Sequence, residues 1–392
     1  MESSGRTRPR QILVIDSEGN PFNNPSFKCI LDLLLEMGCR IDLRYPRSHA
    51  PMPRVTGVRM LPYGRLVREL KAVIFDRLCS WRLAFLSVVV ESLLLYRNYG
   101  LVIGVDRQGL IEAGILNSLK GTPFVFVSFE IMFEAETSSR YKSLERRVSN
   151  SVSLWLVQDD VRAQQLEAEN GLPSARKMLL PLASAGLGSP QDDRLRDTLG
   201  VPPDKHVAIM IGSVEGWSMA GRILRSVADW PEDWVLIVHE RYGRTRVSLG
   251  SDFASIEPLI GRTIFLSEAA PEKVDEMSHV LAGISVGLAF YEPDYKSYHT
   301  GRNLTYLGMA SGKISTYLRH GIPVILNKIG LYAEEARRYG FGRVVVAPEE
   351  IGVNLDACFG EEYRSNAREY FLKKLDFNNF REQLWSRLCA LM

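Results

Sequence analysis

Residues 286–326 read VGLAFYEPDYKSYHTGRNLTYLGMASGKISTYLRHGIPVIL. Val286–Tyr291 is an apolar strand, and a long polar loop follows it. Ser311-Gly312-Lys313 is a small-residue turn that opens a helix running to His320. Gly321-Ile-Pro323 breaks the chain, and Val324–Leu326 is a second apolar strand. Small residues let backbone N–H groups approach a phosphate, and a helix N-terminus favours negative charge. Lys313 adds a full positive charge. A cation at the positive end of a helix is unfavourable unless an anion is present, so the turn reads as a phosphate site. The alternative for Lys313 is an ordinary surface lysine.

The chain of 392 residues exceeds one ordinary core, so two domains are expected. Its 46% hydrophobic and 24% charged content is that of a globular protein. Five cysteines, Cys29, Cys39, Cys79, Cys358 and Cys389, lack CxxC or CxxH spacing. That pattern argues for a reducing compartment and against a zinc site. The first residues lack the order of a signal peptide, so a cytoplasmic location is expected. Residues 1–100 hold 15 Lys+Arg against 9 Asp+Glu, within a chain of net charge +2. Such a basic part suits an anionic membrane surface or acceptor, or is ordinary surface charge.

Ile12–Ile15 is a buried-strand run ending at Asp16. A Gly/Asn/Pro-rich loop follows, then an amphipathic helix, Phe27–Met37, closed by Gly38. Arg40–Arg44 alternates as a second strand and Gly57–Leu61 is a third. This opening suits a doubly wound domain, but no GxGxxG is present, so the dinucleotide fingerprint is missing. Arg65–Tyr96 reads as one or two long helices, packed on the sheet or resting on lipid. Its most apolar part, Leu83–Leu95, contains Glu91 and is shorter than the roughly 20 residues of a membrane span. Strands at Leu101–Val105, Phe124–Phe129, Leu154–Val157 and Lys177–Leu182 alternate with helices. That pattern calls for a parallel sheet covered on both faces.

Gly/Ser/Pro-rich residues 186–206 read as a linker between a first domain, 1–185, and a second, 207–375. The second repeats the alternation from Val207–Ile211 onward. Residues 376–392 form a last helix expected to pack back on the first domain. The expected architecture is thus α/β, with two Rossmann-like doubly wound domains facing across a cleft. Ligands belong at the carboxyl ends of such sheets.

Ser311–Ile325 resembles the SGK-I/L-x-E-Y-L-A-x-G-x-P-V-I segment of bacterial GT-B glycosyltransferases, the family-4-like group. Trp155–Leu166 resembles the strand and helix before the linker in these enzymes. Phe129-Glu130, with Glu145-Arg146, resembles their H/F-E pair and E-R helix. The resemblance runs from about residue 10 to the end.

It implies a nucleoside-diphosphate sugar donor on the second domain and a glycan or lipid-linked acceptor on the first. No separate cofactor or nucleic acid is implied. Lys313 and Arg241 would neutralise the diphosphate leaving group. Gly212, Ser213, Ser311 and Gly312 would lie near the phosphates, and Glu292 near the donor sugar. Leu266–Ala269 occupies the place where the family holds the base. The chain has no Asp-x-Asp, which fits metal-independent transfer. It departs from the family at the Glu-x7-Glu pair, where Gly308 and Thr316 stand, so a ribose contact falls to Thr316 or Ser315. Retention and inversion both stay open. An inverting reaction needs a general base, with Asp16, Asp106 and Glu130 as candidates and Glu130 preferred. The same resemblance admits a sugar-nucleotide 2-epimerase-like isomerase or a non-catalytic nucleotide-sugar-binding protein. His239 and Trp217 read as packed core residues.

Overall fold

The computed structural model describes residues 10–17, 22, 24–47, 55–189, 194–240, 243, 245, 246, 250, 252–267 and 277–392. Two compact units emerge. Met1–Phe22, Phe27–Leu180 and Phe380–Met392 form the first, and Asn23–Ser26 with Pro181–Asn379 the second.

The first unit holds strands β1 (Gln11–Asp16), β2 (Arg40–Pro46), β3 (Val58–Tyr63), β4 (Leu101–Val105), β5 (Phe124–Val127), β6 (Leu154–Val157) and β7 (Lys177–Leu179). They form one sheet in the order β3-β2-β1-β4-β5-β6-β7, and every pairing is parallel. The second unit holds β8 (His206–Gly212), β9 (Trp234–Glu240), β10 (Ile264–Ser267), β11 (Val286–Ala289), β12 (Val324–Asn327) and β13 (Gly342–Val345). Their order is β10-β9-β8-β11-β12-β13, again all parallel. In each sheet the strand order reverses beside its first strand, at β1/β4 and at β8/β11. Such switch points open a crevice at the carboxyl ends of the strands.

Both faces of the second sheet are covered, which is why its strands read as unbroken apolar runs. Along β8, Val207, Ile209 and Ile211 pack on one face with Tyr317, Tyr332 and Tyr370. Ala208 and Met210 pack on the other with Ile223, Trp234 and Leu355.

Three expectations change in detail. β2 was read as alternating, yet Ile41–Pro46 is buried throughout. Asp42 tolerates this because Arg59 pairs with it and Tyr99 donates to it at 2.6 Å. Arg44 reaches Glu91 at 2.8 Å. Second, of the one or two helices expected from Arg65, two form: Arg65–Ala72 runs into a π turn at Val73–Arg77, and Trp81–Leu94 starts afresh with Ser80 as its cap. Third, the final helical run divides at Asp376 between a π turn, Phe371–Leu375, and the helix Asn378–Cys389.

Candidate functional site

In the second unit, β8 ends at Gly212, whose backbone is left-handed at φ 90°. A side chain on Gly212 would stand 3.7 Å from Lys313 Cε. The strand end and the Ser-Gly-Lys turn, a hundred residues apart in sequence, therefore meet. β8 and β11 are neighbours, and the helix Gly312–Arg319 packs beneath them through Tyr317. The Tyr317 phenol donates toward Ile209 O at 3.0 Å and accepts from Ile211 N–H at 3.0 Å.

The turn is held by short-range bonds. The Ser311 hydroxyl accepts from Ile314 N–H at 3.1 Å, capping the helix. It also bonds the Tyr291 phenol. Tyr291 is itself clamped by Asn327, whose amide accepts from Tyr291 N–H at 3.0 Å and donates to Tyr291 O at 2.8 Å. Lys313 Nζ lies 5.5 Å from the Tyr291 ring centre. The Gly312 and Lys313 side of the turn stays half-exposed, as do Gly212 and Ser213. Helix N–H groups, the lysine and the glycine-ended strand share one edge of the sheet, and together they suit a multiply charged anion.

Thr316 and Ser315 turn back into their own helix, donating to Gly312 O at 2.7 Å and 3.1 Å. Their lone pairs remain as acceptors. Gly308 has φ 54°, in the left-handed region that favours glycine over a carboxylate-bearing residue. This is a local reason why the first acid of the family's pair is absent. Glu292 is exposed, and its N–H donates to Trp217 O at 2.8 Å. Trp217 is partly buried, packed against the core at its margin and stacked on Tyr291 at 6.1 Å, with its indole N–H donated to Glu215. Lys296, which sequence reasoning passed over, lies on the same side, its Nζ 3.9 Å from where a side chain on Gly216 would begin. Nothing in a lysine seven residues past the end of β11 marked it.

His239, next to last in β9, is buried, with Nδ1 2.8 Å from the Ser267 hydroxyl. Burial, helped by His279, holds its pKa down at about 4, so it is a neutral packed histidine. Arg241 and the turn Leu266–Ala269 lie wholly or partly outside the described residues.

In the first unit, Phe129-Glu130 follows β5. Asp106, at φ 50° and buried, accepts from Phe129 N–H at 2.6 Å and from Glu130 N–H at 2.9 Å. Arg162 donates to Phe129 O at 2.6 Å, and Gln158 to Ser128 O at 2.6 Å. Glu130 thus sits half-exposed on a loop gripped from both sides. Asp106, one of three candidates for a base, is occupied in holding that loop. Asp16 is buried at the end of β1. The roles of Arg162 and Gln158 were hidden in sequence, because Gln158 directly follows β6 and Arg162 lies on the helix after it, about thirty residues downstream.

No family model matches this chain, and no curated protein matches it in sequence. Solved structures match it over nearly its whole length. HepE of Anabaena in complex with UDP-glucose superimposes with a TM-score of 0.68 at 14% identity, covering 97% of this chain and 99% of that one. Sucrose-phosphate synthase from Thermosynechococcus elongatus gives 0.66 at 13%, covering 98% and 100%. WaaG, a glycosyltransferase involved in lipopolysaccharide biosynthesis, gives 0.62 at 14%, covering 95% and 98%. The fold is therefore that of the GT-B glycosyltransferases, two Rossmann-like domains in one chain.

Proposed function

We propose that the chain is a glycosyltransferase that takes a hexose from a nucleoside-diphosphate sugar and passes it to a hydroxyl of a glycan or lipid-linked acceptor. One observation carries this reading: Lys313, at the start of a capped helix, meets the glycine end of β8 beside the switch point of the second sheet. The likeness to structures holding UDP or UDP-glucose supports it.

In the proposed reaction the acceptor oxygen bonds to the anomeric carbon as the bond from that carbon to the β-phosphate oxygen breaks. The nucleoside diphosphate leaves carrying the electron pair. Lys313, the N–H groups of Gly312 and its neighbours, and Arg241 stabilise the growing phosphate charge. Ser213 and Ser311 flank the phosphates, Glu292 serves the sugar, and Thr316 offers lone pairs to the ribose. In the inverting form of the reaction, Glu130 takes the acceptor proton. Two chain cations and the helix end serve the leaving group in place of a metal ion.

The test is turnover with a panel of UDP-, GDP- and TDP-sugars, with and without a chelator. Lys313→Ala should lower kcat/KM by roughly ten-fold or more, since a charge-assisted hydrogen bond is worth ~1.5–3 kcal/mol. Transfer should persist in the chelator. Wild-type kinetics in Lys313→Ala would remove the assignment. Release of an intact nucleotide sugar with an altered sugar would replace transfer by epimerisation.

A further inference from the structure

We propose that the first unit rests on an anionic lipid surface through the helices Arg65–Ala72 and Trp81–Leu94. This goes beyond donor binding and does not depend on it. The observation is a concentration of exposed apolar side chains. Leu66 is 82% exposed, Leu86 58%, Leu93 81% and Leu94 76%, and Leu70 and Val90 accompany them. Isolated exposed leucines are ordinary, but a row of them along one helix face marks an interaction surface.

The set has helical order. In Trp81–Leu94, Leu83, Leu86, Val90, Leu93 and Leu94 follow spacings of three, four, three and one, which is one face of a helix. Ala84, Val88, Glu91 and Ser92 form the opposite, buried face. The helix is therefore apolar on the side turned to solvent as well as on the side turned to the core.

Its orientation is fixed. Glu91 is held by Arg44 at 2.8 Å and by Lys71 at 3.2 Å, and Lys71 also pairs with Glu112 at 2.8 Å. Lys71 belongs to the first of the two helices, so one buried network ties both to the sheet. The leucines cannot turn inward without breaking it.

Charge selects the occupant. Between residues 65 and 97 the exposed charges are five arginines, at 65, 68, 77, 82 and 97, against Glu69 and Asp76. Both carboxylates are already paired, Glu69 with Arg65 and Asp76 with Arg107. Exposed leucines interspersed with arginines match the boundary between acyl chains and anionic headgroups. A second copy of the chain fits less well, because a two-fold contact sets the same patch against itself and opposes arginine to arginine. No helix among the described residues is long and apolar enough to cross a membrane, so the helices would lie on the bilayer.

The experiment is co-sedimentation of the full chain with vesicles of phosphatidylcholine alone and of phosphatidylcholine mixed with phosphatidylglycerol. Binding to the mixed vesicles is expected, weakening as salt rises. Leu86→Gln/Leu93→Gln/Leu94→Gln should weaken that partition roughly ten-fold or more. Arg68→Glu/Arg82→Glu should erase the preference for the anionic vesicles. Both variants change exposed residues, and unchanged thermal unfolding would verify their folding. The proposal fails if the wild-type chain sediments with neither vesicle, or if either variant partitions as the wild type does. It also fails if sedimentation velocity shows a dimer that the leucine variant dissolves, which would make the face a contact between copies.

Discussion

The two units solve the same problem, seating helices on a parallel sheet, with different chemistry in their interiors. In the first, ionised side chains bind the elements together. Lys71, Glu91 and Glu112 come from three helices and Arg44 from β2, and they meet in one buried network. A second network joins Arg107, Glu145 and Lys142, with Asn170 donating to Glu145 at 2.8 Å. In the second unit the contacts around β8, β9 and β11 rest on neutral groups. Tyr317 bridges β8 and β11 through backbone atoms, Asn327 clamps Tyr291, and His239 stays uncharged against Ser267. Buried charges hold firmly only in company, whereas hydroxyls and amides lose less when a partner goes. The first unit should therefore be the more brittle to single substitutions.

The sharpest way to break this contrast is Glu112→Ala, which takes from buried Lys71 the closer of its two carboxylate partners and leaves it Glu91 alone. A loss of about 3–5 kcal/mol is expected for the first unit, read as an earlier first transition in denaturant unfolding. Lys71→Met/Glu112→Met should recover much of it, because no lone charge remains. An equal loss in single and double variants would mean that the network does not act through charge.

Acid tests the second unit next. The pKa of His239 is about 4, below its ordinary value near 6.5. In the window between these values the unfolded chain takes up a proton that the folded one refuses. Stability is thus present above about pH 6.5 and falls toward pH 4, by up to roughly 3 kcal/mol. Unfolding midpoints across that window should show this slope, and His239→Gln should reduce it to the part that remains from His320, whose pKa burial also holds down at about 4. The same slope in wild type and variant would assign the acid sensitivity elsewhere.

The smallest expected effect is that of Tyr317→Phe. It leaves Ile211 N–H without its phenol partner, and a cost of about 1–3 kcal/mol follows. Calorimetry of the second unit's transition would read it. A loss as large as that of Glu112→Ala would erase the distinction between the units.

Much of the fold was legible in sequence because buried parallel strands read as apolar runs and their helices begin and end at recognisable caps. Ser311 and Gly121 are such signals, one accepting from Ile314 N–H and the other following the helix Asp106–Lys120. The nearness of Gly212 to Lys313 was legible only through the resemblance to GT-B enzymes, which sets both beside the donor phosphates. Pairings across the chain were not. Asp42 and Arg44 look like the polar side of a half-exposed strand until Arg59 and Glu91 are seen beside them. Asp106 looks like a base until its carboxylate is found on two N–H groups of the next loop. Local periodicity carries no information about partners 17, 23 or 47 residues away.

The outer strand β3 has a consequence of another kind. Its Gly57 and Tyr63 carbonyls accept from β2, so residues of that parity face the sheet and Val58, Met60 and Pro62 face outward. Val58 N–H is spent on Val55 O, and Pro62 has no N–H, which leaves Met60 as the only outward donor of the strand among the described residues. At the opposite margin β7 is three residues long, and Arg387 covers the Lys177 carbonyl. An incoming strand finds almost no ladder to extend at either margin. The first sheet should accordingly resist growing edge to edge, even at concentrations where a bare parallel sheet would recruit its neighbours.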